Sequence, residues 1–292
     1  MDTTFKVVKK RLQLKGWNDS INIFAFGDVH RDTKNCDVDR WKWFLQKAAK
    51  EDPEKTWYIG LGDYHDFASA KEQKMLKSSG LHETTIEKFD MIVEREQRAF
   101  CQEIKQMRGR LLGFVHGNHG WVYENGKNTT EDLAERMGTD YLGWLCYYHI
   151  SLDIMGETGN RFAGVAFDIV VCHGKAGGKL AGTSINQVED LKRIFPLADI
   201  YIMGHDHNRG AWPISVLYYN VQEHKVKQKR QFLCRSGSFS KAYGENTKGY
   251  AIGRLLRPSD LGALKLKIGI HRQMRDKTNK QERIIVDISS EV

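Results

Sequence analysis

Five short clusters in this 292-residue chain carry side chains that could bind metal ions. They are Asp28-Val29-His30, Asp63-Tyr64-His65-Asp66, His116-Gly117-Asn118-His119, His173, and His205-Asp206-His207. A glycine lies beside or within each of them (Gly27, Gly62, Gly117, Gly174 and Gly204), which suits sharp turns and close approach of backbone to a ligand. Imidazole nitrogen mixed with carboxylate oxygen favours Zn, Mn, Fe, Ni or Co over Ca or Mg. The donors outnumber what one ion can use, so two divalent ions are expected. Two ions about 3.5–4 Å apart clamp a phosphoryl group during in-line displacement. Two dications offset by two aspartates leave a positive centre that draws in phosphate. Singly, each cluster is a common short string, and a lone histidine is usually just a satisfied polar residue. The ordered set of five carries the signal.

Something must bring the five clusters to one place. Each follows a short apolar run: Ile21–Phe26, Trp57–Leu61, Leu111–Val115, Phe167–Cys172 and Asp199–Met203. Their length and their β-branched or aromatic content read as strands. In open α/β sheets, ligands bind beyond the carboxyl ends of the strands, so five strand ends can ring one site. Between the runs, helical patterns fall at Val38–Glu51, Glu83–Met107, Glu131–Met137 and Ile185–Phe195. Thr130 or a neighbour is expected to cap the third. In Tyr141–Met155, His149, Ser151 and Asp153 alternate with apolar residues, the period of a long strand. From residue 209, strands are expected without helices between them, at Ile214–Gln222, Gln231–Arg235, Tyr250–Leu255 and Leu264–His271. The expected class is α/β with mixed sheets, parallel early and antiparallel late. Because clusters at Asp28 and His207 must share a site, residues 1–292 are expected to form one domain, with a basic, strand-rich part from about residue 209.

Composition removes several classes. Hydrophobic residues make up 40% and charged residues 28%, enough for a sizeable core and unlike a disordered chain. No apolar run approaches the roughly 18 residues of a membrane span. The first residues lack the apolar segment of a secretory leader. The 5 cysteines (Cys36, Cys101, Cys146, Cys172 and Cys234) are odd in number and widely spaced, which argues against a disulfide framework and a cysteine-type zinc site. A cytoplasmic protein without membrane contact is expected. The net charge of +8 is uneven: residues 1–208 carry 28 Lys/Arg and 30 Asp/Glu, while residues 209–292 carry 17 and 7. A basic third of a chain marks either a polyanionic partner or an ordinary solvated surface.

The ordered set Asp28-x-His30, Gly62-Asp63, Gly117-Asn118-His119, His173 and Gly204-His205-x-His207 resembles the calcineurin-like metallophosphoesterases, a family of dinuclear-metal phosphoesterases. The resemblance covers residues 28–207 and implies a four-layer αββα sandwich with the metal site at the C-terminal strand ends. It implies one metal on Asp28, His30, Asp63 and His207, and a second on Asp63, Asn118, His173 and His205, with Asp63 as the bridge. Manganese is the metal expected in assay, with zinc, iron or nickel as alternatives. His119 matches the family's catalytic histidine, which stabilises the phosphate or protonates the leaving oxygen. The implied activity is hydrolysis of phosphodiesters by a two-metal mechanism. Joined to the basic last third, it makes DNA or RNA the expected substrate, with nucleotides, cyclic nucleotides and phosphomonoesters as the alternative. A non-catalytic scaffold of the same fold is a third reading, but a scaffold is expected to have lost ligands, and every metal-binding role finds a matching residue here.

Two departures from the family pattern matter. An acidic residue usually follows the motif's histidine, whereas this chain has Gly120, so Asp66, His116 or Asp206 would have to take its place. Gly62-Asp63-Tyr64-His65-Asp66-Phe67 differs from the GDxxDRG of Ser/Thr protein phosphatases, which disfavours that class. Other look-alikes fail on context. His65-Asp66 and His205-Asp206 resemble the pairs of HD phosphohydrolases, but those lie on helices. His116 to His119 lacks the partners of an HNH nuclease. Gly174 to Lys179 lacks the first glycine of a phosphate loop and reads as a surface turn. Lys71, Lys74 and Lys77 are expected on a solvated helical face. Trp41, Trp43, Trp57, Trp121 and Trp144 are expected in the core.

Overall fold

The computed structural model describes residues 4–16, 18–68, 70–80, 82–156, 159–175, 180–243, 250–253, 255, 257–274 and 282–291. In chain order the elements are β1 (Phe5–Leu14), β2 (Ser20–Phe26), α1 (Val38–Lys50), β3 (Thr56–Gly60), α2 (Ala70–Ser78), α3 (Glu83–Glu103), β4 (Leu111–Phe114), α4 (Thr129–Met137), β5 (Leu145–Met155), β6 (Arg161–Cys172), α5 (Ala181–Ile194), β7 (Ile200–Met203), β8 (Arg209–Asn220), β9 (Lys225–Ser236), α6 (Tyr250–Gly253), β10 (Leu264–Met274) and β11 (Glu282–Glu291).

They form two mixed sheets, ordered β1-β5-β6-β7-β9-β8 and β11-β10-β2-β3-β4. Within them β2, β3 and β4 run parallel, as do β6, β7 and β9, while β8 and β10 join antiparallel. Strand alternation builds the layers. Ile21, Ile23 and Ala25 of β2 and alternate residues of β10 meet Cys146, Tyr148, Ile150 and Leu152 of β5 in one core between the sheets. The opposite face of β2, with Phe24 and Phe26, packs on Trp41 and Phe44 of α1, Phe100 of α3 and Leu133 of α4. The opposite face of β6 and β7, with Val170 and Tyr201, packs on Val188 and Leu191 of α5. Helix, sheet, sheet and helix make four layers, the αββα sandwich.

Several expectations need correction. Tyr250–Leu255 is no strand: residues 250–253 form a short helix, and Leu255 closes a local turn by donating its N–H to the Ile252 carbonyl. The strand expected from Tyr141 starts at Leu145, because Gly143 takes a φ of 66° and breaks the run. β1 was not anticipated; of its residues only Leu12 and Leu14 are buried, and charged residues mask the alternation. Trp43 is 48% exposed under the guanidinium of Arg40, unlike buried Trp41 and Trp121. Lys71 and Lys74 do lie on an exposed face of α2. The cap of α4 is Asn128, two residues before Thr130. Its side chain accepts from Glu131 N at 2.9 Å, Glu131 accepts from Asn128 N at 3.0 Å, and Gly138 closes the helix at φ 66°. Thr129 on the same helix accepts Trp121 N, so this cap also holds the segment that follows His119. Asn128→Ala is expected to cost about 1 kcal/mol, seen as a lower denaturant midpoint with unchanged slope; an unchanged midpoint would mean that the box adds no stability.

Candidate metal centre

All five clusters meet at one edge of the sandwich, where β2, β3, β4, β6 and β7 end. Side-chain bonds tie the sheets together there. His173 Nδ1 lies 2.7 Å from the Leu61 carbonyl oxygen, and His205 N donates to Asp28 Oδ2 at 2.8 Å. Asp63 is held the same way, its Oδ1 accepting from His119 N at 3.0 Å. Each buried aspartate thus has one oxygen fixed by a backbone N–H and the other aimed at the imidazoles. Gly117 is required by this closeness, since a Cβ there would collide with the backbone nitrogen and Oδ1 of Asp63. Among the described residues, eight other than glycine have positive φ, and five of them are Asp28, His30, Asp63, His205 and His207. Left-handed backbone costs such residues about 1–3 kcal/mol each and collects at functional sites.

Two groups of donors result. Asp28, Asp63, His173 and His205 each offer one atom, all within 4.8 Å of one another, and so do Asp28, His30 and His207. The Leu61 carbonyl accepts from His173 Nδ1, so the proton of a neutral imidazole sits on that nitrogen. His173 Nε2 then faces Asn118 Oδ1 at 2.8 Å, His205 Nδ1 at 2.9 Å and Asp63 Oδ2 at 3.1 Å. With His173 neutral, its Nε2 lone pair faces the Asn118 and Asp63 oxygens, which repel it unless a cation lies among them. In the second group, Asp28 Oδ1 and His30 Nε2 are buried and make no hydrogen bond, a cost that a cation would remove. His207 Nε2 is 3.4 Å from that same Asp28 oxygen, and His30 Nε2 is 4.0 Å from Asp63 Oδ2. The donor set and its orphaned atoms fit divalent metal.

Electrostatics follow from this crowding. Burial opposes ionisation of both aspartates, yet His173 beside Asp63, and His207 and His173 beside Asp28, hold both below the ordinary carboxylate range. Burial would lower the His173 pKa, but Asp63 and Asp28 outweigh it and lift it to about 9. Burial and neighbouring His173 push His205 down to about 4.

Asp66 supplies the carboxylate missing after His119. Its Oδ1 lies against His119 Nδ1, and its Oδ2 is 3.7 Å from His30 Nδ1. The contact with His119 pulls Asp66 below the usual carboxylate range and raises the His119 pKa despite burial. Asp32, which the sequence did not single out, fixes this turn by accepting Asp66 N at 2.7 Å. The ring of His116 packs 4.8 Å from Trp144, and its backbone N–H donates to the Gly143 carbonyl. Asp206 accepts from Asn208 Nδ2 at 2.6 Å and lies 4.0 Å from buried Arg235, whose Nη1 also holds the Gly204 carbonyl. Arg235 and Asp206 therefore shape the loop that presents His205 and His207. His65 is buried against Phe67 in a ring stack of 4.5 Å, and burial pushes its pKa down to about 3. In the Gly174–Lys179 turn, residues 176–179 lie outside the described residues; Lys175 is paired with Asp190.

Part of the basic last third leads away from this edge, while Arg209 and Arg235 lie at the site ends of β8 and β9. β9 runs parallel to β7, with Ile200 opposite Phe232 and Met203 opposite Arg235. Residues 225–231 and their β8 partners therefore extend past the start of β7, at the end remote from Met203. Lys225, Lys227, Lys229 and Arg230 sit on that extension, and Lys227 and Lys229 are paired with Glu223 and Asp199. β10 likewise passes from Leu264 opposite Ala25 to Gly269 opposite Ser20 and continues away from the site. Arg275, Lys277 and Lys280 lie outside the described residues.

No family model and no curated protein match the chain. Among solved structures it is similar to Vps29 of Chaetomium thermophilum, with 11% identity over 92% of this chain and 97% of that one and a TM-score of 0.36. It is similar to a predicted phosphoesterase of Streptococcus pneumoniae, with 10% identity over 93% and 98% and a TM-score of 0.32. GAP50 of Plasmodium, described as the anchor in the inner membrane complex, is similar at 13% identity over 93% and 84%, with a TM-score of 0.34. Scores this low carry no weight for fold or chemistry. The resemblance to calcineurin-like metallophosphoesterases rests on the motifs, the four layers and the clustered side chains. Among the described residues no helix is long and apolar enough to cross a membrane, and all five cysteines are free and buried.

The raised His173 pKa sets a pH dependence for metal loading. Below pH about 9 the metal-free protein holds a proton on His173 that must leave before Nε2 can bind an ion. His205, neutral above pH about 4, adds no such term near neutrality. Apparent Mn²⁺ affinity should therefore rise with pH from 6 to 8.5, by up to roughly tenfold per unit for one released proton. Calorimetric titration in buffers of different ionisation enthalpy measures both; affinity flat across that range would contradict it.

Proposed function

We propose that the chain is a metal-dependent phosphoesterase that holds two divalent ions and hydrolyses phosphodiesters. One observation carries this: Asp63, Asn118, His173 and His205 aim their donor atoms at one point, beside a second group of Asp28, His30 and His207. His30, Asp28 and His207 would hold one ion, and Asn118, His173 and His205 the other, with Asp63 between them. Two divalent ions in such a site neutralise phosphoryl charge and lower the pKa of water, so that hydrolysis runs at neutral pH. The chain's own residues do the rest. His119, its pKa raised by Asp66 at Nδ1, turns its Nε2 towards Asp63 Oδ2 at 4.0 Å, where it can bind a phosphate oxygen or hand a proton to the leaving one. Asp66 fixes the ring and stabilises its charged form. The Gly204–His207 loop, braced by Arg235, keeps two imidazoles in place.

For the substrate, the basic last third was the support for nucleic acid. Its cluster of Lys225, Lys227, Lys229 and Arg230 lies at the opposite end, and Arg235 at the site end is buried against the Gly204 loop, which favours small phosphate esters as the substrate class. A panel with Mn²⁺ tests this: an aryl phosphodiester, a phosphomonoester, cyclic nucleotides, and single- and double-stranded DNA and RNA. Turnover of a small ester with a shallow salt dependence is expected. A steep salt slope with preference for polynucleotide would point to the nuclease instead. Asp63→Ala should lower turnover by well over about 100-fold, beyond the loss typical of outer-shell changes, with the circular dichroism spectrum retained. Near-normal turnover in that variant would remove the two-metal mechanism.

A further inference from the structure

Next to the candidate metal centre lies an apolar trough that the phosphate chemistry does not use. It is a cavity of about 660 Å³ between the 66–68 turn and α2, lined by Asp66, Phe67, Ala68, Glu72, Met75 and Leu76. That volume falls within the roughly 300–1,000 Å³ of small-molecule sites. Asp66 belongs to both places: its carboxylate touches His119 and His30, and it forms the near end of the trough. Whatever is esterified to a phosphate at the metals on the His119 side therefore has this cavity as its neighbour.

The trough is built by one helix face. Glu72, Met75 and Leu76 of α2 follow the i, i+3, i+4 spacing and line it, with Ser79 just past the helix end. The helix is fastened by Gln73, which is 6% exposed; its amide nitrogen donates to the Ala68 carbonyl at 3.0 Å and to the Gly120 carbonyl, and its oxygen accepts Val122 N at 3.0 Å. Gly120 directly follows His119, so the trough is held in register with the catalytic candidate. Met75 is nonetheless 62% exposed, on a helix that also carries Lys71, Glu72, Lys74 and Lys77. A Phe67 ring and a Met75 thioether are surfaces that favour a flat aromatic group.

We propose that this trough is the subsite for the organic group of the substrate, and that the group carries an aromatic ring. The subsite rests on the phosphoesterase reading above and narrows it to aryl or nucleobase-bearing phosphate esters. The test measures binding of matched anions to the Mn²⁺-loaded protein by calorimetry. Phenylphosphonate against methylphosphonate places a ring next to phosphorus, and adenosine 5′-monophosphate against ribose 5-phosphate places it beyond a sugar. In at least one pair the ring should tighten binding by about tenfold or more. Met75→Glu, on an exposed position, should erase that preference while leaving the ringless anions unchanged, and Met75→Leu should keep it. The pair that responds tells an aryl ester from a nucleotide. Equal binding within both pairs, or equal weakening of ringed and ringless anions by Met75→Glu, would overturn the subsite alone. Failure of all four anions to bind would overturn the phosphoesterase reading and the subsite with it.

Discussion

Two aspartates sealed from water, Asp28 and Asp63, set the terms for the rest of this structure. An isolated carboxylate inside a protein is costly unless opposite charge and hydrogen bonds surround it. Here each spends one oxygen on a backbone N–H from a neighbouring strand end and directs the other at histidines. The imidazoles compensate incompletely: Asp28 Oδ1 and His30 Nε2 stay without a hydrogen bond, and His173 must take up a proton to sit against Asn118 Oδ1 and Asp63 Oδ2. The negative interior calls for cations, and the donors are grouped to hold them.

The sandwich exists in a form that allows this crowding. Both sheets turn the same ends of their parallel strands to one edge, and the His173 and His205 bonds lock those ends across the interface. Five left-handed aspartates and histidines are strained conformations that an unbraced loop would relax. The braces are visible: the Val29 and His30 N–H groups donate to the Asp63 carbonyl, Phe239 N and Ser238 Oγ donate to the Asp28 carbonyl, and Arg235 grips Gly204. The large core between the sheets supplies the stability that this strain consumes.

Much of this could be read from residues in order. A glycine and a metal-binding side chain after each apolar run gave away the strand ends, because the chemistry needs both within a few residues. What escaped depends on spatial neighbours. That Asp66 reaches His119 follows from how two strand-end turns lie against each other. That Gln73 fastens α2 beside Gly120 has no local signature. The charge of the last third was plain, but its direction is set by the order β7-β9-β8, which composition does not contain. Tyr250–Leu255 reads as a strand for want of any signal but hydrophobicity, whereas Tyr250–Gly253 forms a short helix.

The central claim is that these side chains hold two ions side by side. Anomalous diffraction from crystals loaded with Mn²⁺ measures it directly. The expected result is two peaks per chain about 3.5–4 Å apart, one against Asn118, His173 and His205 and one against His30, Asp28 and His207, with Asp63 touching both. A single peak, or ions bound elsewhere with His173 still hydrogen-bonded to Asn118, would contradict it.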